Sequence, residues 1–493
     1  MFERIKAFFK KGGLLTESLN KPIDHPKIGV DPREYDRILD NIRIYGGDYP
    51  KVPYFNSVGV KCYRDYVPLN VVKFASNWMA TLLYNEKCRI NISDKGADDF
   101  VQALLLQSNF NANFQKYLEP EYAIGGLAIR PYYSHEDEEI KISWCLPDRF
   151  FPLSSNSGEV SEAAFLTKTR EVDGKKVFYY SLFEFHEWDG DVYVISNELY
   201  MSDDSAQVGK KVPLDALDKY AELPEESRIE GLSRPLFVYL QPAQMNNIDM
   251  DSPLGVGMCD NAKQTIGTIN MLHDKFWQNI RRARSGIIVA PEYMRVRQEN
   301  GALYLVPDED DVFLPVPGGM NDEPFKEITI KINPDEFITS INFELRTFEA
   351  QTGFSAGTFG FDEASGLKTA TEVVSEDSMT YQTRNKQIVL IEQALRDLIH
   401  SILELSTAVG LYRGETRPEV TVDFDDGVFQ DKDSQLDFYG KAYNYKLIPQ
   451  TEAIKRAFNL TDKEAQGWVA QINAESMQRM NNASLLNAGI TFG

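Results

Sequence analysis

Residues 352–376 contain the glycines and the Lys-Thr pair that a phosphate-binding loop would need. A P-loop has four residues between its two glycines and a lysine directly after the second glycine. In this chain five residues separate Gly360 from Gly366, and Leu367 stands before Lys368. The three phenylalanines of the stretch would also keep backbone N–H groups away from a phosphate. The spacing therefore argues against a nucleotide site and indicates a loop with another role.

Acidic clusters could instead supply metal ligands, and the chain has them at 135–139 ("HEDEE"), 308–311 ("DEDD") and 423–427 ("DFDDG"). A two-metal nuclease needs carboxylates that converge from several elements. Two of these clusters fall at predicted hairpin turns, where solvated acids are ordinary. The pattern favours solvated loops, with a metal-dependent phosphodiesterase or nuclease as the alternative.

Histidine and cysteine spacing adds no catalytic signature. The histidines are His25, His135, His186, His273 and His400, and the cysteines are Cys62, Cys88, Cys145 and Cys259. They form neither an H-E-x-x-H motif nor a C-x-x-C pair, and the sequence contains no G-x-S-x-G nucleophile elbow. We therefore predict no enzyme activity, no catalytic residue, no metal site and no cofactor.

Basic residues cluster at Arg281, Arg282 and Arg284, near the end of a predicted helix. Cations at that end complement the helix dipole, which is the simplest interpretation. A contact with phosphate or with a carboxylate of a neighbouring subunit is the alternative.

The composition and charge of the chain limit the kinds of partner that it can bind. The 493 residues carry a formal net charge of −22, and 43% of them are hydrophobic, which is enough for sizeable cores. Negative charge repels nucleic-acid phosphates, so tight binding in a DNA groove is not expected. A protein that must let DNA pass without holding it remains compatible with this charge. No apolar run approaches the roughly 20 residues that cross a bilayer, so no membrane role is expected.

The spacing of apolar residues along the chain predicts the helices and strands that would position these residues. Residues 30–120 have mainly helical spacing, and residues 125–212 alternate with period two between turn signals such as Asp173-Gly174 and Asp189-Gly190. This pattern predicts helices followed by an antiparallel meander.

Two helices then flank a small β module. Ser252-Pro253 predicts a helix start, and the helical spacing continues to Gly286. Strand patterns fill 287–332, and Asn333-Pro334 opens a second helix that ends at Gly353. After the glycine-rich stretch, Thr369 and Glu372 match a capping box, and no glycine or proline follows before Gly410. Polar, mostly helical segments close the chain at 434–485.

Three stretches resemble the portal proteins of tailed bacteriophages, of the siphophage type found in phages of Gram-positive bacteria. They are 53–86 ("PYFNSVGVKCYRDYVPLNVVKFASNWMATLLYNE"), 144–160 ("WCLPDRFFPLSSNSGEV") and 360–387 ("GFDEASGLKTATEVVSEDSMTYQTRNKQ"). The resemblance implies an α+β portal fold, with helices and antiparallel strands in a wing, a two-helix stem, a small α/β clip and a helical crown. Its implied divisions are the wing (1–252), first stem helix (253–286), clip (287–332), second stem helix (333–353), tunnel loop (354–368), long helix with a wing strand (369–427) and crown (428–493).

The resemblance also implies a function. Portal proteins form a ring, usually of twelve subunits, at one capsid vertex, through which double-stranded DNA is packaged, retained and ejected. The implied partners are other copies of the chain, DNA without sequence specificity, the terminase large subunit, the head–tail connector, and the major capsid and scaffolding proteins. The implied location is the virion, after assembly in the host cytoplasm. A capsid adaptor or scaffold without a channel is a further alternative.

Carried onto this chain, the tunnel loop would face DNA, and its glycines would keep it mobile. Its candidate side chains are Phe354, Ser355, Thr358, Phe359, Phe361, Asp362, Glu363 and Lys368. We expect the phenylalanines to pack on neighbouring loops or on the stem, because duplex bases are not exposed. Lys368 would meet a phosphate or pair with Asp362, Glu363 or Glu372. The arginines at 281, 282 and 284 become candidates for the stem–clip interface.

Overall fold

The structure is a computed structural model. It describes residues 18–55, 60–156, 158–282, 286–289, 296–299, 302–305, 313–315, 325–328, 333–361, 378–424, 432–458, 460 and 465–474. The chain divides into two compact units. The first contains residues 1–365 and 379–423, and the second contains residues 366–378 and 424–493.

The N-terminal part of the first unit is mainly helical up to Gly126. Its helices are α1 (Pro32–Gly46), α2 (Val71–Leu83), α3 (Lys95–Gln107) and α4 (Phe110–Ile124). Its short strands are β1 (Ser18–Leu19), β2 (Val52–Phe55), β3 (Lys61–Arg64) and β4 (Arg89–Ile92). Local chemistry sets the ends of α1: Asp31 accepts a hydrogen bond from the Arg33 amide, Pro32 opens the helix, and Gly47 closes it at φ 67°.

The predicted meander is present as a seven-stranded sheet and a smaller three-stranded one. The strands are β5 (Leu127–Ser134), β6 (Glu139–Cys145), β7 (Phe150–Asn156), β8 (Glu159–Asp173), β9 (Lys176–Asp189), β10 (Val192–Ser202), β11 (Gly209–Val212), β12 (Glu226–Ile229) and β13 (Val238–Leu240). The large sheet has the order β1-β11-β10-β9-β8-β7, with β12 also paired to β10, and the small sheet has the order β13-β5-β6. Both predicted tight turns are confirmed, with Gly174 at φ 62° and Gly190 at φ 64°.

The large sheet buries side chains on both faces. Phe183 and Phe185 of β9 belong to one hydrophobic cluster with Leu19 and Tyr35, whereas Leu182 belongs to a second cluster. Alternate residues of a strand point to opposite faces, so these two clusters cover the two sides of the sheet. The N-terminal strand and α1 therefore form part of the core over one face.

A helical hairpin follows, which we define as α6 (Lys263–Arg282) and α7 (Pro334–Thr352). It is preceded by the single turn α5 (Met258–Asn261). The predicted helix start at Ser252-Pro253 is wrong. The Ser252 hydroxyl accepts from the Leu254 amide at 3.2 Å and donates to Glu34 Oε2 at 3.2 Å, so it fixes an irregular segment against α1 instead of capping a helix.

The part described between α6 and α7 consists of strands. They are β14 (Gly286–Val289), β15 (Val296–Glu299), β16 (Ala302–Leu305), β17 (Phe313–Pro315) and β18 (Phe325–Ile328). The strand β14 lies between β17, to which it is parallel, and β18, to which it is antiparallel. The strands β15 and β16 form a separate antiparallel pair. The predicted β module is confirmed.

The long helix α8 (Ser378–Ala408) returns through the first unit and leads to β19 (Val420–Asp423), which pairs with β4. The predicted capping residues Thr369 and Glu372 lie outside the described residues. In the second unit the described helices are α9 (Lys432–Asn444), α10 (Gln450–Phe458) and residues 465–474. No helix in the described ranges is long and apolar enough to cross a membrane.

The end of α4 crosses the segment that leads into α5 with the two backbones in contact. A Cβ atom on Gly125 would lie 2.7 Å from the carbonyl oxygen of Gly255, and one on Gly257 would lie 2.2 Å from that of Ala123. The Tyr239 hydroxyl accepts from the Gly255 amide at 3.1 Å and lies 3.4 Å from the Gly125 carbonyl oxygen. Only glycine fits at these positions, because any side chain would separate the two segments.

A buried ion cluster supports the same crossing. The Arg37 guanidinium donates to Glu34 Oε2 at 2.9 Å, to Asp260 Oδ2 at 2.6 Å and to the Gly255 carbonyl oxygen at 3.0 Å. All three charged side chains are buried. Removing one partner of such a cluster leaves an uncompensated charge in the interior, so the cluster ties α1 firmly to α5.

The crossing predicts a large effect of a single methyl group. We expect Gly257→Ala to lower the free energy of unfolding by roughly 1–3 kcal/mol, because the added Cβ meets backbone atoms that cannot rotate away. Gly46→Ala is the matched control, since a Cβ there meets nothing within 4 Å. Thermal unfolding of the two variants should separate them. Equal midpoints would contradict the tight crossing.

Candidate functional site

The two helices of the helical hairpin are antiparallel and in contact at both ends. Thr265 Oγ1, near the start of α6, lies 2.8 Å from Gln351 Oε1, near the end of α7. The rings of Phe276 and Phe337 lie 5.3 Å apart at the other end. These contacts place the end of α7, and the loop that follows it, beside the start of α6.

The helix α6 is docked on the N-terminal part through polar side chains one turn apart. Arg64 makes a bidentate ion pair with Asp274, with both N–O distances 2.6 Å, and the Val67 amide donates to the same carboxylate at 3.1 Å. Asn270 Oδ1 accepts from the amides of Leu69 and Asn70. The hydrogen bond from Arg64 is the main cause that lowers the pKa of Asp274, so this anchor stays charged at neutral pH.

The loop base, defined as residues 353–361, begins where α7 ends. Gly353 has φ 81°, and a Cβ there would lie 2.5 Å from Thr383 Oγ1 of α8. The Thr383 hydroxyl donates to the Gly353 carbonyl oxygen at 2.8 Å. Glycine is therefore required both by the left-handed backbone and by the close approach of α8.

Glu349 of α7 anchors the loop base through hydrogen bonds to its backbone. Its buried carboxylate accepts the Gly357 amide at 2.7 Å and the Phe359 amide at 2.6 Å, one on each oxygen. Further along, Asn342 Oδ1 accepts the Phe361 amide at 2.9 Å. Hydrogen bonds to a carboxylate are stronger than neutral ones, so two of the loop's amides are firmly placed.

Ser355 and Thr380 tie the loop base to α8 by a reciprocal contact. The Ser355 amide donates to Thr380 Oγ1 at 2.8 Å, and the Thr380 amide donates to Ser355 Oγ at 3.2 Å. Both residues are buried. The expectation of a mobile loop is therefore wrong for residues 353–361, because buried acceptors on α7 and α8 fix this part of its backbone.

The aromatic residues of the loop base pack as expected on the helical hairpin. Phe354 is fully buried and contacts Phe359 edge-on at 4.9 Å, and Phe359 lies 6.2 Å from Phe348 of α7. Phe361 differs, since 54% of its surface is exposed. Thr358 is half-buried and its hydroxyl donates to the Ser355 carbonyl oxygen at 2.6 Å.

The remaining candidates divide between described and undescribed residues. Arg281 is exposed and its guanidinium lies 5.5 Å from the centre of the Trp277 ring, a cation–π contact within the same helix. Of Arg282 only the helical backbone is described. Arg284, Asp362, Glu363, Lys368, Thr369 and Glu372 lie outside the described residues. The part that these side chains play toward DNA or partners stays a prediction.

Sequence reasoning missed Glu121, which lies in α4 close to the loop base. It is fully buried, Gln387 of α8 donates to its Oε1 at 3.4 Å, and burial raises the pKa of its carboxyl to about 8. The neighbouring Tyr122 hydroxyl donates to the Thr352 carbonyl oxygen at 3.1 Å, at the end of α7. The helical spacing of apolar residues does not reveal such a residue, because a glutamate in a sequence is normally predicted to be exposed.

A cavity of about 260 Å³ lies beside these residues. Its walls include Tyr122, Ala243, Gly353, Thr383 and Gln387. The contacts between α4, α7 and α8 thus leave a cavity that reaches Gly353, the first residue of the loop base.

Of the acidic clusters, the one at 135–139 is described, whereas residues 308–311 and 425–427 lie outside the described residues. At the β5–β6 turn Asp137 accepts from Ser134 at 2.7 Å and pairs with Lys141, which confirms a local turn cluster. His186 lies 2.7 Å from Glu184 and 3.0 Å from the Tyr193 hydroxyl, but only 1% of it is exposed. Burial is the main cause that lowers its pKa, so it is a neutral core residue. In the described ranges no three His, Cys, Asp or Glu side chains converge to hold a metal ion.

The fold thus defines a mixed helical and antiparallel-sheet protein in which an antiparallel helical hairpin, joined by a β module, carries a fixed loop at its other end. Residues 24–478 match the family described as "Phage portal protein, SPP1 Gp6-like". Because this match spans most of the sequence, the chain belongs to the phage portal protein family.

Solved structures of gene transfer agent (GTA) particles are also similar. "Neck of empty GTA particle computed with C6 symmetry" matches with 11% identity and a TM-score of 0.43, covering 84% of this chain and 91% of that chain. "Virion of native gene transfer agent (GTA) particle" matches with 10% identity and a TM-score of 0.40, covering 85% and 92%. "Neck of native GTA particle computed with C12 symmetry" matches with 10% identity and a TM-score of 0.37, covering 84% and 97%. The search of curated protein sequences gave no match.

The anchoring role of Glu349 can be measured directly. We expect Glu349→Gln to speed amide hydrogen exchange in a peptide covering residues 354–361, because the amide group offers one acceptor oxygen where the carboxylate offered two. Glu344→Gln on the same helix is the matched control, since Glu344 is not fully buried. Unchanged exchange in the Glu349 variant would contradict the anchor.

The raised pKa of Glu121 predicts a pH dependence of stability. The unfolded carboxyl titrates near 4.5 and the folded one near 8, so the folded chain binds the extra proton between these values. Stability from this residue is therefore fully present below about pH 4.5 and decreases as the pH rises to about 8. Glu121→Gln mimics the protonated form, so its melting temperature should exceed that of the wild type by several degrees at pH 8–9. A difference that does not grow between pH 6 and pH 9 would contradict this assignment.

Proposed function

We propose that copies of this chain assemble into a ring around a channel for double-stranded DNA at one capsid vertex of a phage. The observation that carries the proposal is the family match over residues 24–478. The ring has twelve subunits, the usual number for portal proteins. DNA passes through it during packaging and ejection, and between these events the ring retains it.

The helical hairpin provides the stem of the proposed ring. Its helices of 20 and 19 residues are about 30 Å long. The Arg64–Asp274 ion pair and the hydrogen bonds to Asn270 fix its orientation on the N-terminal part. A channel that carries moving DNA needs such fixed walls, because each subunit must keep the same angle to the axis.

The loop base then presents the rest of the tunnel loop to DNA. Phe354 and Ser355 are buried, so they support the loop from inside, and Phe361 is the exposed residue at its described end. Residues 362–368 add two acids, Asp362 and Glu363, and the cation Lys368. With a chain charge of −22, the surroundings repel phosphates and let the duplex slide without a fixed register.

The β module between the two stem helices is the proposed docking point for partners outside the capsid. We assign residues 287–332 to the clip, which binds the terminase large subunit during packaging and the head–tail connector afterwards. The arginines at 281, 282 and 284 precede this region in the sequence, and we assign them to the stem–clip interface. The wing contacts the major capsid and scaffolding proteins. The ring itself has no enzymatic role, since the motor is a separate protein.

Assembly is the first test. The purified chain, examined by negative-stain electron microscopy and mass photometry, should give rings with a central hole and a mass near twelve times 56.1 kDa. Monomers at every protein and salt concentration would contradict the proposal.

The loop is tested separately from assembly. Replacing residues 362–368 with seven alternating glycines and serines should leave rings intact, because the loop base remains anchored by Glu349 and Thr380. The same change should reduce the DNA packaged into capsids in a phage complementation assay. The same glycine–serine replacement of the five residues 172–176, around the β8–β9 turn, is the control. Normal packaging with the altered loop would contradict its assignment to the channel.

A further inference from the structure

An acidic groove lies between the start of α1, the strand β7 and the segment that leads toward α5. It is a cavity of about 260 Å³. Four of its described lining side chains are acidic and none is basic, the acids being Asp31, Glu34, Asp249 and Asp251. The nearby ion pairs, Arg33 with Asp31 and Arg37 with Glu34, leave the carboxylates of Asp249 and Asp251 in excess. The groove therefore attracts positive charge.

Apolar side chains also line the acidic groove and continue beside it. Val30 and Leu153 line it and pack against the hydrophobic cluster of the large sheet, and Leu254 lines it from the segment toward α5. Next to these walls, 55% of Ile248 and 74% of Met250 are exposed. Exposed apolar side chains beside an acidic cavity indicate a binding surface for a segment that is both apolar and basic.

Asn246 holds this surface in one conformation. Its Oδ1 accepts from the amides of Ile248 and Asp249, both at 3.0 Å. Its Nδ2 donates to Glu34 Oε2 at 3.0 Å and to the Leu254 carbonyl oxygen at 2.9 Å. Because Asn246 is buried, these bonds fix the backbone under the exposed apolar side chains. A surface that is already ordered loses little entropy when it binds a partner.

The amphipathic segment, defined as residues 1–11 ("MFERIKAFFKK"), has the complementary chemistry. At the helical rotation of about 100° per residue, its apolar positions share an arc of about 120° and are Phe2, Ile5, Phe8 and Phe9. Basic positions flank this arc on both sides and are Arg4, Lys6, Lys10 and Lys11. The sequence therefore predicts a helix with an apolar stripe between two basic edges.

The amphipathic segment is within reach of the acidic groove. Residues 1–17 lie outside the described residues, and the described chain starts at Ser18 in β1. Leu19 of β1 belongs to the same hydrophobic cluster as Val30 and Leu153, which line the groove. The connecting residues 12–17 span up to about 20 Å when extended. The family match begins only at residue 24, so the segment is a feature of this chain and not of the family model.

We propose that the amphipathic segment binds in the acidic groove of its own chain. Its apolar stripe covers Ile248 and Met250, and its basic edges face Asp249 and Asp251. Charge selects this occupant, since the segment carries four basic residues and one acid, Glu3, whereas the groove has carboxylates in excess. The inference goes beyond the proposed function, because it needs one chain and no ring.

Binding there would also support the helical hairpin. The groove residues 249–254 lead directly into the crossing at Gly255 and Gly257, after which α5 and α6 follow. A segment bound across residues 249–254 restrains the part of the chain from which the hairpin starts.

Limited trypsin digestion of the full chain, followed by mass spectrometry, tests the contact through cleavage after Lys10 and Lys11. Ile5→Asp places a charge at the centre of the apolar stripe and should speed this cleavage roughly tenfold, because proteolysis follows the population of the open form. Ala7→Asp is the matched control, since it adds the same charge on the side opposite the stripe. The control should change the rate by less than about twofold.

A change in the groove gives a second arm that leaves the cleaved sequence intact. Ile248→Asp should speed cleavage after Lys10 and Lys11 as much as Ile5→Asp does, and folding should not change because the side chain is exposed. Val172→Asp is its control, an exposed apolar residue in the β8–β9 hairpin whose change should leave the rate unaltered.

Three results would overturn the proposal. The first is equal cleavage in the wild type, Ile5→Asp and Ile248→Asp. The second is protection that disappears on dilution, which would place the segment on a neighbouring copy. The third is protection that arises only when vesicles of anionic phospholipid are added, which would place the segment on a membrane surface. Failure of the chain to form rings would contradict the proposed function and leave this contact standing.

Discussion

Two backbones meet without side chains between them where the end of α4 crosses the segment before α5. Gly125, Gly255 and Gly257 make this approach possible, and the Tyr239 hydroxyl bridges the two segments. Arg37 holds the same segment from the α1 side through Glu34 and Asp260. Since α6 begins directly after this point, the direction of the helical hairpin depends on the crossing. The geometry of any assembly built from the hairpin is therefore set inside the N-terminal part.

The helical hairpin connects the crossing near α5 to the loop base. Near the middle of α6, Asn270 and Asp274 fix the helix to residues 64–70. At the end of α7, Glu349 and Thr380 fix the loop base to α7 and α8. A force on the loop is therefore resisted by both α7 and α8, because side chains of these two helices hold the backbone of the loop base. Glu121, protonated near neutral pH, lies at the junction of α4 and α8 without adding a buried charge. The arrangement suits a subunit that must keep its shape while DNA moves past it.

Sequence predicted the features that local chemistry decides. The turns at Gly174 and Gly190 and the limits of α7 at Pro334 and Gly353 follow from residues whose backbone preferences act within a few positions. The start at Ser252 failed because its hydroxyl is taken by a residue more than 200 positions away. The fixed loop base was missed for the same reason. Its glycines indicated freedom, whereas the anchors Glu349 and Thr380 become visible only when α7 and α8 are placed side by side.

The central claim is that the helical hairpin surrounds a channel and carries the loop toward its axis. A cryo-electron microscopy reconstruction of the assembled chain, calculated without imposed symmetry, tests this most directly. We predict a ring in which α6 and α7 of every subunit line a hole wide enough for a DNA duplex, with residue 361 closer to the axis than residue 353. A ring with the hairpins on its outer rim, or an assembly without a central hole, would contradict the account.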